Sequence, residues 1–208
     1  MGSINEELQK ALESRHGKDL QKKISSTTVA ICGLGGLGSN IAVALARAGV
    51  GRLLLYDFDQ VDITNLHRQQ YNLDQIGMKK ATALKDNLLK FAPNIHIQSQ
   101  SVKLDEQNMK ILLQDADFIC EAFDDAEAKA MLTNFVLENL SNAILGAASG
   151  MAGLGSANAI KTRKITDRFY ICGDEISDVQ SSIGLVSSRV MLCAAHQAHT
   201  VLRLIAGE

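Results

Sequence analysis

The strongest constraint on this chain lies in residues 28–57, TVAICGLGGLGSNIAVALARAGVGRLLLYD. A short apolar run, Val29, Ala30, Ile31 and Cys32, ends in Gly33, Leu34, Gly35, Gly36, Leu37 and Gly38. An Ala-rich apolar segment follows, and a second apolar run, Leu53, Leu54, Leu55 and Tyr56, ends in Asp57. The pattern predicts a strand over 28–32, a helix over 36–48 stopped by Gly49, and a strand over 52–57. In such a unit the first glycine allows a tight turn and the second lets a phosphate approach the backbone. The third lets the helix pack closely on the strand. The helix N-terminus then offers unpaired N–H groups and a partial positive charge to an anion. Gly33, Gly35, Gly36 and Gly38 are therefore candidate nucleotide-binding residues, with Asp57 at the spacing of a ribose-binding acid. The fingerprint indicates a nucleotide and leaves open whether it is a hydride carrier or ATP.

The remainder of the chain narrows the class. Its 208 residues suffice for one well-packed domain, and we read 1–208 as such. A net charge of -2 gives no bulk attraction to nucleic acid or to a membrane surface. Trp is absent and aromatic residues make up 4%, which argues against a base-stacking platform for single strands. The four cysteines, Cys32, Cys120, Cys172 and Cys193, form no CxxC pair. Three of them sit in apolar runs, a reduced, cytoplasmic pattern rather than a disulfide framework. The polar residues 1–23 do not read as a signal peptide, and no apolar run approaches membrane-spanning length.

Hydrophobic periodicity gives the order of elements. A helix over 4–20 is broken near Gly17, and a basic lead-in over 18–23 precedes the first strand. Beyond Asp57 comes DFDQVDITNLHRQQYNLDQIGMKK, too polar and too long to be a mere connection. Helices are expected over 79–91, 105–113 and 126–140, and strands over 95–100 (an edge strand), 117–122 and 143–148. Such alternation implies a mostly parallel, Rossmann-like α/β sheet with flanking helices. After the glycine-rich residues 149–156, strands over 157–162 and 169–172 are expected as an added antiparallel sheet. A polar loop over 174–184 and a long apolar helix over 185–205 complete the chain.

The polar segment carries the candidate chemistry. Asn65, Arg68 and Gln69 lie eight to twelve residues beyond Asp57. A hydride-transfer enzyme has no use for an arginine there, whereas the guanidinium fork suits the oxygens of a triphosphate. One of Lys79 and Lys80 could reach a phosphate, the other being a solvated residue. Asp124 ends a strand at the carboxyl edge of the sheet, where ligands bind in open α/β folds. It could hold Mg²⁺ between phosphates or merely cap a helix, while Asp125 reads as the helix N-cap.

GLGGLGS, YDFDQVDITNLHRQQY, GMKK and EAFDDAEAK, in this order, resemble the adenylating fold of the ubiquitin-activating superfamily. The closest likeness is to its bacterial ThiF/MoeB/HesA group. The run GLVSSRVMLCAAHQAHTVLRLIAG also resembles short ThiF-type members. The resemblance implies ATP- and Mg²⁺-dependent adenylylation of the C-terminal glycine carboxylate of a small ubiquitin-like sulfur carrier, with release of pyrophosphate. The thiamine route is the expected pathway. It assigns Asp57 to the ribose, Asn65, Arg68 and Lys80 to the phosphates, and Asp124 to Mg²⁺. Arg15 matches an N-terminal arginine that reaches the γ-phosphate across a homodimer. Longer relatives use a cysteine to bind the activated carrier covalently, and Cys172 is the best-placed candidate, against the alternative of a plain strand cysteine. Without CxxC pairs no structural zinc is expected. No general base is needed, because an α-carboxylate with pKa of about 3.5 is already ionised at neutral pH. Three other readings remain: the related dehydratase of threonylcarbamoyladenosine in transfer RNA, a nicotinamide-dependent dehydrogenase, and a pseudo-enzyme that only binds a ubiquitin-like partner. Charge leans against the first, and Arg68 and Lys80 have no role in the second. Loss of Arg68, Lys80 or Asp124 would have suggested the third, and all three are present.

Overall fold

The computed structural model describes residues 4–180 and 183–208. Two helices lead in, α1 (Ile4–His16) and α2 (Lys18–Ser26), separated at Gly17, whose φ of 84° breaks the helix. The glycine unit follows as β1 (Thr28–Cys32), α3 (Gly36–Ala48) and β2 (Arg52–Tyr56). Gly49 closes α3 in the left-handed conformation, as its position predicts. Then come α4 (Lys80–Leu89), β3 (His96–Gln100), α5 (Met109–Leu113), β4 (Phe118–Glu121), α6 (Ala126–Asn139) and β5 (Ile144–Ala148). The last elements are β6 (Lys161–Thr166), β7 (Phe169–Gly173) and α7 (Ser187–Ala206).

The strands form one seven-stranded sheet in the order β3-β2-β1-β4-β5-β7-β6. All neighbours are parallel except the β6/β7 hairpin. Side chains alternate between two cores, as the period-2 geometry of strands requires. Val29, Ile31, Leu53, Leu55 and Cys120 face the layer of α2, α3, α4 and α7. Ala30, Cys32, Leu54, Tyr56 and Ile119 face α5 and α6. Both faces of the central strands are thus covered, which is why they read as unbroken apolar runs.

Three expectations are corrected. The C-terminal strands do not form an added sheet, because β7 pairs in parallel with β5 and prolongs the main one. Residues 157–159 form a 3₁₀ turn, so β6 begins only at Lys161. The helix expected over 105–113 starts at Met109, because the Asp105 carboxylate accepts from the Gln107 and Asn108 N–H groups and holds those residues in a turn. β3 is an edge strand, as its alternation indicated. Strand order reverses between β1 and β4, opening a crevice at their carboxyl ends.

Candidate functional site

The glycine turn leaves β1 into that crevice. Gly33 has φ of 93°, and a Cβ there would lie 2.7 Å from the Ala122 carbonyl oxygen at the end of β4. A Cβ on Gly38 would overlap the Gly33 carbonyl oxygen, so this third glycine permits the close strand-to-helix packing expected of it. Gly35 is different. A Cβ there would meet only Gln69 Nε2, at 3.8 Å, so the space above it is open. No side chain caps α3. Its first-turn N–H groups therefore point, with the positive end of the helix dipole, into open space beside Gly35.

Residues 57–80 wrap this turn as an ordered strap rather than a loose connection. The Leu34 N–H donates to Asp57 Oδ2 at 2.6 Å, and the Asp59 N–H donates to Asp57 Oδ1 at 2.8 Å. Burial raises the Asp57 carboxyl above the usual range, while those N–H groups and Lys80 hold it back. Tyr71 donates its hydroxyl proton to the Leu34 carbonyl at 2.7 Å. Asn40 on α3 donates to the Arg68 carbonyl at 3.0 Å, and Gln70 donates to Asn40 Oδ1 at 2.7 Å. The strap is thereby stitched to the first turns of α3.

This stitching places the cations. The Arg68 stem lies on Gly36, where a Cβ would sit 3.2 Å from its Cγ. Its guanidinium donates to Asn65 Oδ1 at 2.6 Å. Burial lowers the Arg68 pKa, and the charge of the Asp124 carboxylate acts on it in the opposite sense. His67 bridges to the Leu185 carbonyl at 3.2 Å, linking the strap to the segment before α7. Lys80 is 5% exposed and donates to Asp59 Oδ2 at 2.8 Å. Lys79 is the exposed member of the pair.

Asp124 lies three residues beyond β4 and is exposed, while Asp125 caps α6 by accepting from the Ala128 N–H at 2.8 Å. Among the described residues no three His, Cys, Asp or Glu side chains gather into a metal cage. A single exposed carboxylate at the carboxyl end of the sheet nevertheless suits Mg²⁺, which binds through one or two carboxylates plus substrate phosphates.

Two candidates stand apart. Arg15 is exposed at the end of α1. That helix packs at the far ends of α3 and α4, where Leu8, Leu12, Arg47, Val50 and Phe91 line a cleft of about 250 Å³. Arg15 is not brought to the glycine turn of its own chain. Cys172 is buried on β7, its thiol pushed up by burial, with Thr162 Oγ1 at 3.5 Å. It has neither the access nor the thiolate character of a nucleophile, and the geometry favours the plain strand cysteine.

Sequence reasoning missed three features and gave no surroundings for a fourth residue that it named. Glu121, 1% exposed, pairs with Lys129 at 2.8 Å. Arg189, buried, pairs with the partly buried Asp174. Gln69, named from the sequence, is buried beside Gly35, and among the described residues its Oε1 has no partner. Tyr71 supports the turn. EAFDDAEAK did contain Glu121 and Lys129, but only the strand-end geometry shows that they meet.

Residues 8–208 match the ThiF family. The chain is 35% identical over 136 residues to the molybdopterin-synthase adenylyltransferase of Haemophilus influenzae, covering 65% of this chain and 56% of that protein. It is 34% identical over 115 residues to the adenylyltransferase and sulfurtransferase MOCS3 of Caenorhabditis briggsae, covering 55% of this chain and 29% of that one. The matched stretch thus spans about half the length, or less, of these curated relatives. Among solved structures, the Escherichia coli tRNA N6-threonylcarbamoyladenosine dehydratase TcdA in complex with ATP has the same fold. Its TM-score is 0.85 at 19% identity, covering 95% of this chain and 93% of that one. E. coli MccB with ATP superimposes with a TM-score of 0.70 at 21% identity, covering 90% and 58%.

Proposed function

Since the chain belongs to the ThiF family, we propose that it binds ATP over Gly35 and adenylylates the C-terminal carboxylate of a ubiquitin-like sulfur carrier. The observation that carries this reading is the placement of Arg68 on Gly36, oriented by Asn65 and within the electrostatic influence of Asp124. A dinucleotide site for hydride transfer would have no use for that arrangement. The adenylyltransferase names of the relatives and the ATP held by two structural neighbours support it.

A carboxylate oxygen of the carrier attacks the α-phosphorus. An O–P bond forms, the bond from that phosphorus to the bridging oxygen breaks, and pyrophosphate leaves with the electron pair. No proton has to move, so the reaction asks for no histidine as a general base. Arg68 and the α3 N–H groups stabilise the charge that gathers on the phosphate oxygens. Asn65 keeps the guanidinium fork oriented. Lys80 leaves Asp59 for a phosphate oxygen when nucleotide binds. Asp57 receives the ribose hydroxyls. Asp124 would hold Mg²⁺, which neutralises phosphate charge when bound. Arg15 has a role only in a homodimer, where it reaches the neighbour's site.

The thiamine route, with a ThiS-like carrier, is the first pathway to test, and molybdopterin synthesis, suggested by the relatives' names, is the second. Exchange of labelled pyrophosphate into ATP, with recombinant carriers ending in glycine, tests the reaction. The expected result is carrier-dependent exchange that falls about 100-fold or more in Arg68→Ala, Lys80→Ala and Asp124→Ala. Cys172→Ala should leave it intact. Exchange driven by threonylcarbamoyladenosine-bearing transfer RNA and by no carrier would replace the carrier with the second substrate class. Oxidation of NADH by a small carbonyl would contradict both.

A further inference from the structure

Behind the crevice, the ends of β4 and β5 are joined by a side chain from α6. The Lys129 ammonium donates to Glu121 Oε1 and Oε2, at 3.0 and 2.8 Å, and to the Ala148 carbonyl at 3.1 Å. These bonds use all three of its donors. Glu121 Oε1 also accepts from the Phe123 N–H at 2.7 Å. Gln197 from α7 donates to the neighbouring Gly146 carbonyl at 2.5 Å. A buried ion pair adds little net stability over apolar residues of equal volume, but its directed bonds fix geometry.

The geometry fixed here is that of residues 122–125. Phe123, whose N–H Glu121 holds, directly precedes Asp124, and its ring packs where a Gly33 Cβ would be, 3.1 Å away. Asp125 anchors the other side of the turn as the α6 cap. Asp124 therefore stands exposed between two anchored neighbours.

We infer that Glu121 and Lys129 are positioning residues for Asp124, tuning through that turn the affinity of the site for the divalent cation that accompanies a nucleotide. This rests on the reading of Asp124 given above. The test uses full-length protein, Mn²⁺ in place of Mg²⁺, and α,β-methylene ATP, with free Mn²⁺ read by electron paramagnetic resonance. Glu121→Met/Lys129→Met removes both charges and leaves neither unpaired. We expect it to weaken Mn²⁺ binding to the nucleotide complex about 10-fold or more, with analogue binding in EDTA held within about twofold. Glu121→Gln keeps an acceptor for the Phe123 N–H and should lose less. If the double variant does not fold, Glu121→Gln decides, and wild-type Mn²⁺ affinity in it overturns the inference. An equal loss of metal-free analogue binding marks a merely structural pair and overturns it as well. Asp124→Asn separates the two layers. Unchanged Mn²⁺ affinity there removes Asp124 itself, whereas weakened binding there with wild-type binding in the double variant removes only the positioning role.

Discussion

Adjacent residues in this site have opposite duties. Asp124 is exposed and its charge acts on Arg68, while Asp125 commits its carboxylate to the Ala128 N–H. Asp125→Ala should cost about 1 kcal/mol of stability and leave pyrophosphate exchange near wild type. Asp124→Asn should do the reverse, and urea unfolding run beside the exchange assay reads both. The glycines divide in the same way. Gly38→Ala forces a methyl group into the Gly33 carbonyl, with a cost of about 3 kcal/mol or more. Gly35→Ala has room, so it should fold and yet weaken ATP binding in a calorimetric titration. The close packing at Gly33 and Gly38 was legible in the sequence, because a strand-turn-helix unit dictates what those positions must do, and so was the α6 cap at Asp125. Asp57 was legible in place but not in its full duty, since sequence spacing did not reveal that its carboxylate braces the Leu34 N–H. Glu121 and Lys129 were illegible, because they meet only through the register of a strand end against the second turn of the following helix.

At the scale of elements, α7 is tied to two loops by one ion pair. Arg189 donates to the Gly155 and Ser156 carbonyls at 2.6 and 2.9 Å and pairs with Asp174. Burial alone would raise the Asp174 pKa. The Ser177 and Ile176 N–H groups, the Ser177 hydroxyl and Arg189 outweigh it and hold the carboxyl down at about 2. A carboxylate depressed in the folded state stabilises above its unfolded pKa and loses that contribution as pH falls through the folded value. The Asp174 carboxylate, held mainly by the Ser177 and Ile176 N–H groups, should therefore give up about 2 kcal/mol between pH about 4 and pH about 2. Asp174→Asn should be less stable at pH 7 by at least that much and lack this part of the acid limb, as urea midpoints at several pH values would show. The long helix itself was plain from its apolar run. The destination of β6 and β7 was not, because β6 is exposed along its whole length and its sequence, KTRKIT, carries no alternation to say which sheet it joins.

For the whole molecule, the location of Arg15 matters most. It lies at the opposite end of α3 from the glycine turn, so it can serve a triphosphate only in a second copy. Mixing Arg15→Ala with Arg68→Ala protein tests this. Random reassociation should restore about a quarter of wild-type exchange, because half the dimers then hold one intact site. No recovery on mixing would remove Arg15 from the reaction. The central claim, that one nucleotide lies over Gly35 beneath Arg68 and Lys80, is tested most directly by a crystal structure with ATP and Mg²⁺. We predict phosphate oxygens on the α3 N–H groups, the Arg68 fork upon them, and Lys80 released from Asp59 to join it. A bound nucleotide with Arg68 and Lys80 turned away from its phosphates would contradict the account.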